Sequence, residues 1–255
     1  MLITRQSIFL YLLVLSQLLN LGFPLSIGVN INNNKLDGFF ACSSDISKMK
    51  IYLARHGQDE DNANGILNGH RDMPLTELGE NQAHLVAEKI QKAGLSFDAV
   101  YSSPLCRAKR TAQIILETLG DLPQNELIIL PELIERDFGI MTGTPTKEIL
   151  QRCGEENVLK TDTITYFLNP EKAETFDDLI QRANQFLSQT MPKDYESILL
   201  VTHGDFGKML YAAYYKLPWQ DVLKQFHFGN SEVLLLSKDS SPDTAHIFQI
   251  QQYNS

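Results

Sequence analysis

The sequence predicts an α/β protein with a mostly parallel central sheet and helices on both faces of that sheet. From residue 49 onward, short apolar runs typical of strands alternate with longer segments whose apolar residues recur at helical spacing. The clearest runs, Ile51–Arg55 and Ile198–Thr202, are almost continuously apolar, as strands buried on both faces are. The chain has 255 residues, 43% of them hydrophobic, which is enough for a sizeable core.

Strands and helices are expected to alternate along the chain. The six predicted strands are Ile51–Arg55, Ala99–Ser102, Leu127–Leu130, Ile198–Thr202, Val233–Ser237 and Ile247–Ile250. The five predicted helices are Thr76–Gly94, Pro104–Leu119, Thr146–Arg152, Thr175–Gln189 and Phe206–Lys216. Thr76 fits an N-cap and Gly94 a helix end, and a proline such as Pro104 is tolerated in a first turn.

Residues 1–48 are predicted to form a leader that is separate from the domain at 49–255. The apolar run Ile8–Leu21 follows Arg5 and is short for a membrane span. It fits a secretory signal peptide, although no small-x-small cleavage site follows closely. Alternatively, Met49 is the true start and the leader is upstream or disordered sequence. The predicted location is cytoplasmic if Met49 is the start or the leader is not processed; export, or a membrane anchor, is the alternative.

The net charge and the cysteine content limit which binding partners and which kinds of site are expected. A net charge of -9 gives no electrostatic reason to expect nucleic acid or an anionic membrane, since both attract basic surfaces. The three cysteines, Cys42, Cys106 and Cys153, are odd in number and widely spaced. They therefore predict free thiols, with neither a disulfide framework nor a zinc site.

Two of the predicted strands end in a histidine followed by a glycine, as Arg55-His56-Gly57 and Thr202-His203-Gly204. Each motif brings a histidine to the carboxyl end of a strand, where ligands bind in open α/β sheets. Glycine after the histidine permits a tight turn. For either histidine alone, a structural role at a strand end is the alternative.

Two arginines accompany these histidines. Arg55 precedes His56, and Arg107 falls in the first turn of the second predicted helix. A cation there opposes the helix dipole and is easier to explain beside a bound anion, because a guanidinium can hold two phosphate oxygens. A solvated charge is the alternative for either arginine alone, but the four residues together favour a phosphate site.

An ordered set of motifs runs through residues 49–255. It comprises Arg55-His56-Gly57-Gln58, Asn62, Asn68-Gly69, Asp72, Pro74-Leu75-Thr76, Gly79, Gln82-Ala83, Ser103-Pro104-Leu105, Arg107-Ala108, Glu135-Arg136, Phe138-Gly139 and Thr202-His203-Gly204. This set resembles the histidine phosphatase superfamily, in the branch that includes cofactor-dependent phosphoglycerate mutase and related phosphatases.

The resemblance implies roles for the matching residues. His56 would be the nucleophile that transiently carries the phosphate, and Arg55, Arg107 and His203 would clamp the phosphoryl oxygens. Further residues implied in phosphate or substrate binding are Asn62, Asn68, Gly69, Arg136 and Gly204. No cofactor and no metal are implied, because fixed cations neutralise the oxygens.

The resemblance also implies that Glu135 protonates the leaving alkoxide, a role that contributes roughly 100- to 10,000-fold. Glu132 is the competing carboxylate, and solvated side chains are the alternative for both. Of the remaining histidines, only His70 is expected to border the substrate. The segment Phe228–Ser231 is assigned no catalytic role.

Two departures favour hydrolysis over intermolecular transfer. Phe138 stands where phosphoglycerate mutases carry tyrosine, and their adjacent arginine pair has no counterpart that we recognise. The predicted function is a phosphomonoesterase for a small phosphorylated metabolite, with specificity set around 142–176. The alternatives are a phosphoglycerate mutase and a catalytically silent binder of phosphorylated ligands. The acidic residues Asp59-Glu60-Asp61 are expected to form a solvated loop or to repel highly charged substrates.

Overall fold

The computed structural model describes residues 49–120, 127–191 and 195–249. The predictions for the leader at 1–48 and for Cys42 lie outside these ranges. Within them, no helix has the length and apolar character needed to cross a membrane. Cys106 and Cys153 are both free thiols, as the sequence predicts.

Eight strands occur in the described residues. In chain order they are β1 (Lys50–Arg55), β2 (Ala99–Ser102), β3 (Ile128–Ile129), β4 (Val158–Lys160), β5 (Thr165–Phe167), β6 (Ser197–Thr202), β7 (Val233–Leu236) and β8 (His246–Phe248). Six of them form one sheet in the order β3-β2-β6-β1-β7-β8, and β4 pairs with β5 separately. The pairs among β3, β2, β6 and β1 are parallel, whereas β7 and β8 are added antiparallel. The predicted mostly parallel sheet is confirmed.

The α-helices of the described residues are α1 (Glu60–Ala63), α2 (Glu77–Lys92), α3 (Cys106–Leu119), α4 (Ile149–Cys153), α5 (Phe176–Gln185), α6 (Gly204–Tyr215) and α7 (Trp219–Gln225). The Thr76 hydroxyl accepts the Gly79 amide and begins α2, as predicted. Thr175 and Asp178 form a capping box that begins α5.

The sheet separates two apolar layers, because successive side chains of a strand point to opposite faces. Ile51 and Leu53 of β1 pack with residues of α5, α6 and α7, whereas Tyr52 and Ala54 pack with residues of α2 and α3. Helices therefore cover both faces of the sheet, which confirms the predicted fold class.

Several predicted boundaries are wrong. The strand at 127–130 is reduced to Ile128–Ile129, and the helix at 146–152 is a 3-10 turn, Thr146–Glu148, followed by α4. The helix predicted to reach Gln189 changes at Phe186 into a wider π-helical turn. The hairpin of β4 and β5, and the helices α1 and α7, were not predicted because three to seven residues carry little periodicity. The last strand begins at His246 rather than Ile247, and Ile250 lies outside the described residues.

Gly79 allows the start of α2 to pack closely against the loop after β1. A larger residue at this position is therefore expected to destabilise the fold. A Cβ on Gly79 would collide with the carbonyl oxygen of Gln58, which also accepts the Thr76 amide. We expect Gly79→Ala to lower the free energy of unfolding by about 3 kcal/mol, because backbone cannot yield as a flexible side chain can. Urea unfolding measures this change.

The matched control is Gly94→Ala. Gly94 has φ +65 and no heavy atom within 4 Å of its added Cβ. Its substitution is expected to cost only about 1 kcal/mol, through the left-handed backbone. Equal losses in the two variants would contradict the collision at Gly79.

Candidate active site

The register of the parallel strands brings the two predicted histidines together. Arg55 of β1 is paired with Thr202 of β6, so His56 and His203 each lie one residue beyond the same level of the sheet. Their ring centroids are 5.0 Å apart, and both rings are buried. The site is therefore assembled at the carboxyl edge of the sheet, where the sequence predicts it.

One tautomer of His56 is fixed by its own loop. Nδ1 lies 2.6 Å from the carbonyl oxygen of Gly57. A carbonyl can only accept a hydrogen bond, so Nδ1 carries the proton and Nε2 keeps its lone pair. Burial, followed by the positive charges of Arg107 and Arg55, lowers the pKa of His56 well below the usual value. The ring is thus a neutral imidazole with a lone pair on Nε2.

His203 is held by Ser103, which follows β2. Its Nε2 lies 2.7 Å from Ser103 Oγ, and that oxygen accepts the amide hydrogen of Leu105. The serine hydroxyl is therefore able to donate to Nε2, and the tautomer that accepts this hydrogen bond carries its proton on Nδ1. Burial and the charge of Arg107 lower the pKa of His203 as well. In that tautomer His203 presents an N–H donor rather than a second lone pair.

Arg107 is fully buried and is paired with Asp59. Its Nε lies 3.3 Å from Asp59 Oδ2, and its two terminal nitrogens donate to the carbonyls of Arg71 and Gly69. A guanidinium has five N–H donors, so one further donor remains on each terminal nitrogen. A guanidinium with a donor left on each terminal nitrogen can bind two oxygens of an anion.

The interpretation of the acidic residues beside His56 holds for Glu60, which is exposed, and is wrong for the two aspartates. Asp59 and Asp61 are buried rather than solvated, and neither is an unpaired charge that could repel a substrate. Asp59 accepts hydrogen bonds from the Asn62 amide and the Asn68 side chain and faces Arg107. Asp61 pairs with Arg71 at 2.8 Å. Asp59 therefore fixes Arg107, a function that sequence spacing alone did not reveal.

Arg55 lies beside the first turn of α6. A Cβ on Gly204 would lie 3.4 Å from Arg55 Cζ, so the glycine lets the guanidinium approach the helix backbone. Gly204 is the first residue of α6, and its N–H is one of those that no helix carbonyl can reach. The guanidinium also donates to the carbonyl of Phe228 at 2.8 Å.

The segment Phe228–Ser231, to which no catalytic role was assigned, makes direct contacts with the site. The side-chain amide of Asn230 donates to the His56 carbonyl at 3.1 Å and to Asn62 Oδ1 at 3.2 Å. The Ser231 amide donates to the carbonyls of Arg55 and His56. The loop before β7 therefore holds the backbone of the predicted nucleophile, a contact that the sequence did not predict.

Glu135 is buried at the N-terminus of α6. Its Oε1 accepts the amides of Arg136 and Phe206 at 2.9 and 3.0 Å, and its Oε2 accepts the Asp205 amide at 3.2 Å. This cap explains why α6 begins at Gly204, two residues earlier than predicted. Burial and the nearby charge of Asp205 raise the pKa of Glu135 above its usual value.

The structure distinguishes Glu135 from its neighbours. Glu132 is only partly buried and lies in a separate 3-10 turn, Pro131–Leu133. Arg136 was expected to bind phosphate, but its Nε pairs with Asp205 at 2.9 Å and its guanidinium lies over the rings of Phe167 and Phe176. These contacts favour a structural role for Arg136. His70 is exposed, and its Nε2 lies 2.8 Å from the Glu135 carbonyl oxygen, close to the site as expected.

Arg55 Nε and His203 Nδ1 are buried at this edge and have no hydrogen-bond partner among the residues that the structure describes; Arg107 Nε also lacks a hydrogen bond there but lies within ion-pair distance of Asp59. Buried donors are nearly always paired in folded proteins. Next to a neutral histidine, these donors suit an oxyanion such as phosphate. No group of three or more histidine, cysteine, aspartate or glutamate side chains that could hold a metal occurs in the described ranges.

Comparison with known families adds an independent finding. Residues 51–246 match the family described as the histidine phosphatase superfamily, branch 1. A 2,3-bisphosphoglycerate-dependent phosphoglycerate mutase of Bartonella henselae is 34% identical over 180 residues, which are 69% of this chain and 85% of that enzyme.

Two solved structures share the fold and part of the sequence. A putative alpha-ribazole-5'-P phosphatase of Escherichia coli has a TM-score of 0.61 and 28% identity, over 73% of this chain and 89% of that one. A phosphoserine phosphatase of Entamoeba histolytica, in complex with 3-phosphoglyceric acid, has a TM-score of 0.54 and 27% identity over the same shares.

Proposed function

Because this chain belongs to the histidine phosphatase superfamily, we propose that it is a phosphomonoesterase that hydrolyses a small phosphorylated metabolite through a phosphohistidine on His56. The observation that carries the proposal is the fixed tautomer of His56, whose Nδ1 is bound to the Gly57 carbonyl. A neutral imidazole with its lone pair on Nε2 is a competent nucleophile at neutral pH.

The reaction has two steps. In the first, His56 Nε2 attacks phosphorus, the bond between phosphorus and the ester oxygen breaks, and Glu135 gives its proton to the leaving alkoxide. In the second, water attacks phosphorus, Glu135 takes a proton from that water, and the bond from phosphorus to Nε2 breaks to release phosphate. Arg55, Arg107 and His203 donate to the equatorial oxygens in both steps and stabilise the charge there.

Glu135 suits the proton transfer because of how its two oxygens are used. Oε1 accepts two amide hydrogens, whereas Oε2 accepts one at the longer distance of 3.2 Å. Oε2 therefore has room for the proton. Asn62, Asn68 and Gly69 support this arrangement, since Asn68 and the Gly69 carbonyl hold Asp59 and Arg107 in place and Asn62 lies against Asn230.

Phosphoglycerate mutase activity is the second candidate, favoured by the 34% identical relative. The two functions differ in the acceptor of the phosphoryl group, which is water for a phosphatase and a second phosphoglycerate for a mutase. The experiment is to incubate the chain, with EDTA present, with phosphoserine, with p-nitrophenyl phosphate, and with 3-phosphoglycerate plus a small amount of 2,3-bisphosphoglycerate, and to measure free phosphate and 2-phosphoglycerate. Free phosphate supports the proposal, and rapid 2-phosphoglycerate formation with little phosphate would replace it with the mutase.

The pH dependence of the first step, measured as the single-turnover rate of leaving-group release, should differ between two kinds of ester. His56 has a lowered pKa, so it stays neutral in mild acid and activity falls only as pH drops through that low value. Glu135 has a raised pKa, so its proton is lost as pH rises through that value. An alkyl phosphate should therefore lose rate in this step on the basic side, whereas an aryl phosphate, whose phenolate leaves without a proton, should keep it. The same basic limb for both esters would contradict the acid role of Glu135.

A further inference from the structure

We infer that Arg182 is a positioning residue for the general acid, because it fixes the backbone of Glu135 and packs on the residue that binds the Glu135 side chain. This inference rests on the proposed function. Arg182 belongs to α5, 47 residues from Glu135 in the chain, and no motif singled it out.

All five N–H donors of Arg182 are bound within the protein. Nη1 donates to the carbonyls of Glu132 and Ile134, both at 2.9 Å, and Nη2 donates to the Glu135 carbonyl at 3.3 Å. The remaining two donors, on Nε and Nη2, bind the two carboxylate oxygens of Glu174 at 2.8 and 2.9 Å. The planar guanidinium thus donates to three carbonyls of one short loop. A lysine cannot reproduce these hydrogen bonds, because its three donors all lie on one atom.

Arg182 also reaches the side chain of Glu135 through Phe206. Its Cζ lies 4.1 Å from the centroid of the Phe206 ring, and the Phe206 amide donates to Glu135 Oε1. The backbone and the carboxyl group of Glu135 are therefore located by contacts that meet at one guanidinium. Such support is what a proton donor needs, because a small displacement from the leaving oxygen sharply reduces transfer.

Glu174, the carboxylate that pairs with Arg182, also contacts the loop that carries Glu135. Glu174 precedes α5, and its Oε2 also accepts the Asp137 amide at 3.4 Å. Residues on both sides of Glu135 are thus tied to α5, through the Arg182 guanidinium on one side and Glu174 on the other. Loosening this pair should move the acid while leaving His56, Arg55 and Arg107 in place.

The test compares an alkyl with an aryl ester in the full-length protein. With phosphoserine, Arg182→Lys should lower the single-turnover rate of leaving-group release about tenfold or more, a part of the roughly 100- to 10,000-fold that a general acid supplies. With p-nitrophenyl phosphate the loss should be small, since its leaving group needs no proton. In a Glu135→Gln background the selective loss should disappear, because the acid that Arg182 positions is already absent.

Arg110→Lys is the matched control. Arg110 also pairs with a glutamate, Glu80, at 2.9 Å, and it lies on α3. It should lose little activity with either ester. Equal losses of both esters in Arg182→Lys, or a selective loss that persists in the Glu135→Gln background, would overturn the inference. If the wild-type protein released phosphate from neither ester, the proposed function itself would be wrong. That result differs from the two results that would overturn the inference on Arg182 alone.

Discussion

His56→Ala is expected to abolish phosphate release and covalent labelling, with a loss of roughly 10,000-fold or more, the scale seen when a covalent nucleophile is removed. The reason is that the variant lacks Nε2, the atom proposed to attack phosphorus. Arg55, Arg107 and His203 remain, so the variant should still bind phosphate. The measurement is single-turnover release of p-nitrophenol together with the intact mass after quenching, since a phosphohistidine adds the mass of one phosphoryl group.

The control for this experiment is His84→Ala. His84 is an exposed residue of α2, so its removal should leave turnover and labelling unchanged. The His56 variant should also unfold cooperatively in urea, which separates loss of chemistry from loss of fold. Normal turnover by His56→Ala would rule out the phosphohistidine mechanism.

Glu135→Gln is expected to slow an alkyl phosphate by about 100- to 10,000-fold and an aryl phosphate far less. Glutamine keeps the size of the side chain and can still accept the Arg136 and Phe206 amides that now bind Oε1. It lacks a transferable carboxyl proton, so the difference between the two esters isolates proton donation from binding. The measurement is the single-turnover rate of leaving-group release from phosphoserine and from p-nitrophenyl phosphate, because this rate excludes the later attack of water that both esters share.

Glu132→Gln serves as the comparison variant. Glu132 is three residues away, in a 3-10 turn, and only its backbone carbonyl is bound by Arg182. We expect it to retain the wild-type ratio of the two rates. A selective loss in Glu132→Gln instead of Glu135→Gln would identify Glu132 as the acid.

The proposed chemistry depends on charges that are neutralised in pairs within the fold. Arg107 is fully buried, and burying a lone charge costs far more than burying a hydrogen-bonded pair. Asp59 supplies that pairing and leaves two donors of the guanidinium for an anion. Arg136 with Asp205 and Arg182 with Glu174 repeat this arrangement around Glu135. In each pair the arginine is held in place by hydrogen bonds to protein groups.

The sequence alone determined the sheet, its two helical layers and the position of the two histidines. Buried parallel strands have a strong apolar signal, and their ends follow from it, so His56 and His203 were expected at one edge. The resemblance of Glu135-Arg136 to the family's motif implied a carboxylate near that edge, and the structure puts Glu135 at the N-terminus of α6. These features are local in sequence or repeat with a fixed period.

Tertiary structure alone decided which polar groups meet. Arg107 and Asp59 are 48 positions apart in number, and Arg182 and Glu135 are 47 apart, so no periodic pattern relates them. Both Glu135 and Arg136 were expected at the site, but the sequence could not show which groups would contact them. In the structure Glu135 caps α6, whereas Arg136 is held by Asp205 and aromatic rings. Burial and hydrogen bonding depend on packing between distant segments, and those interactions fix the tautomer of His56 and the pKa values around it.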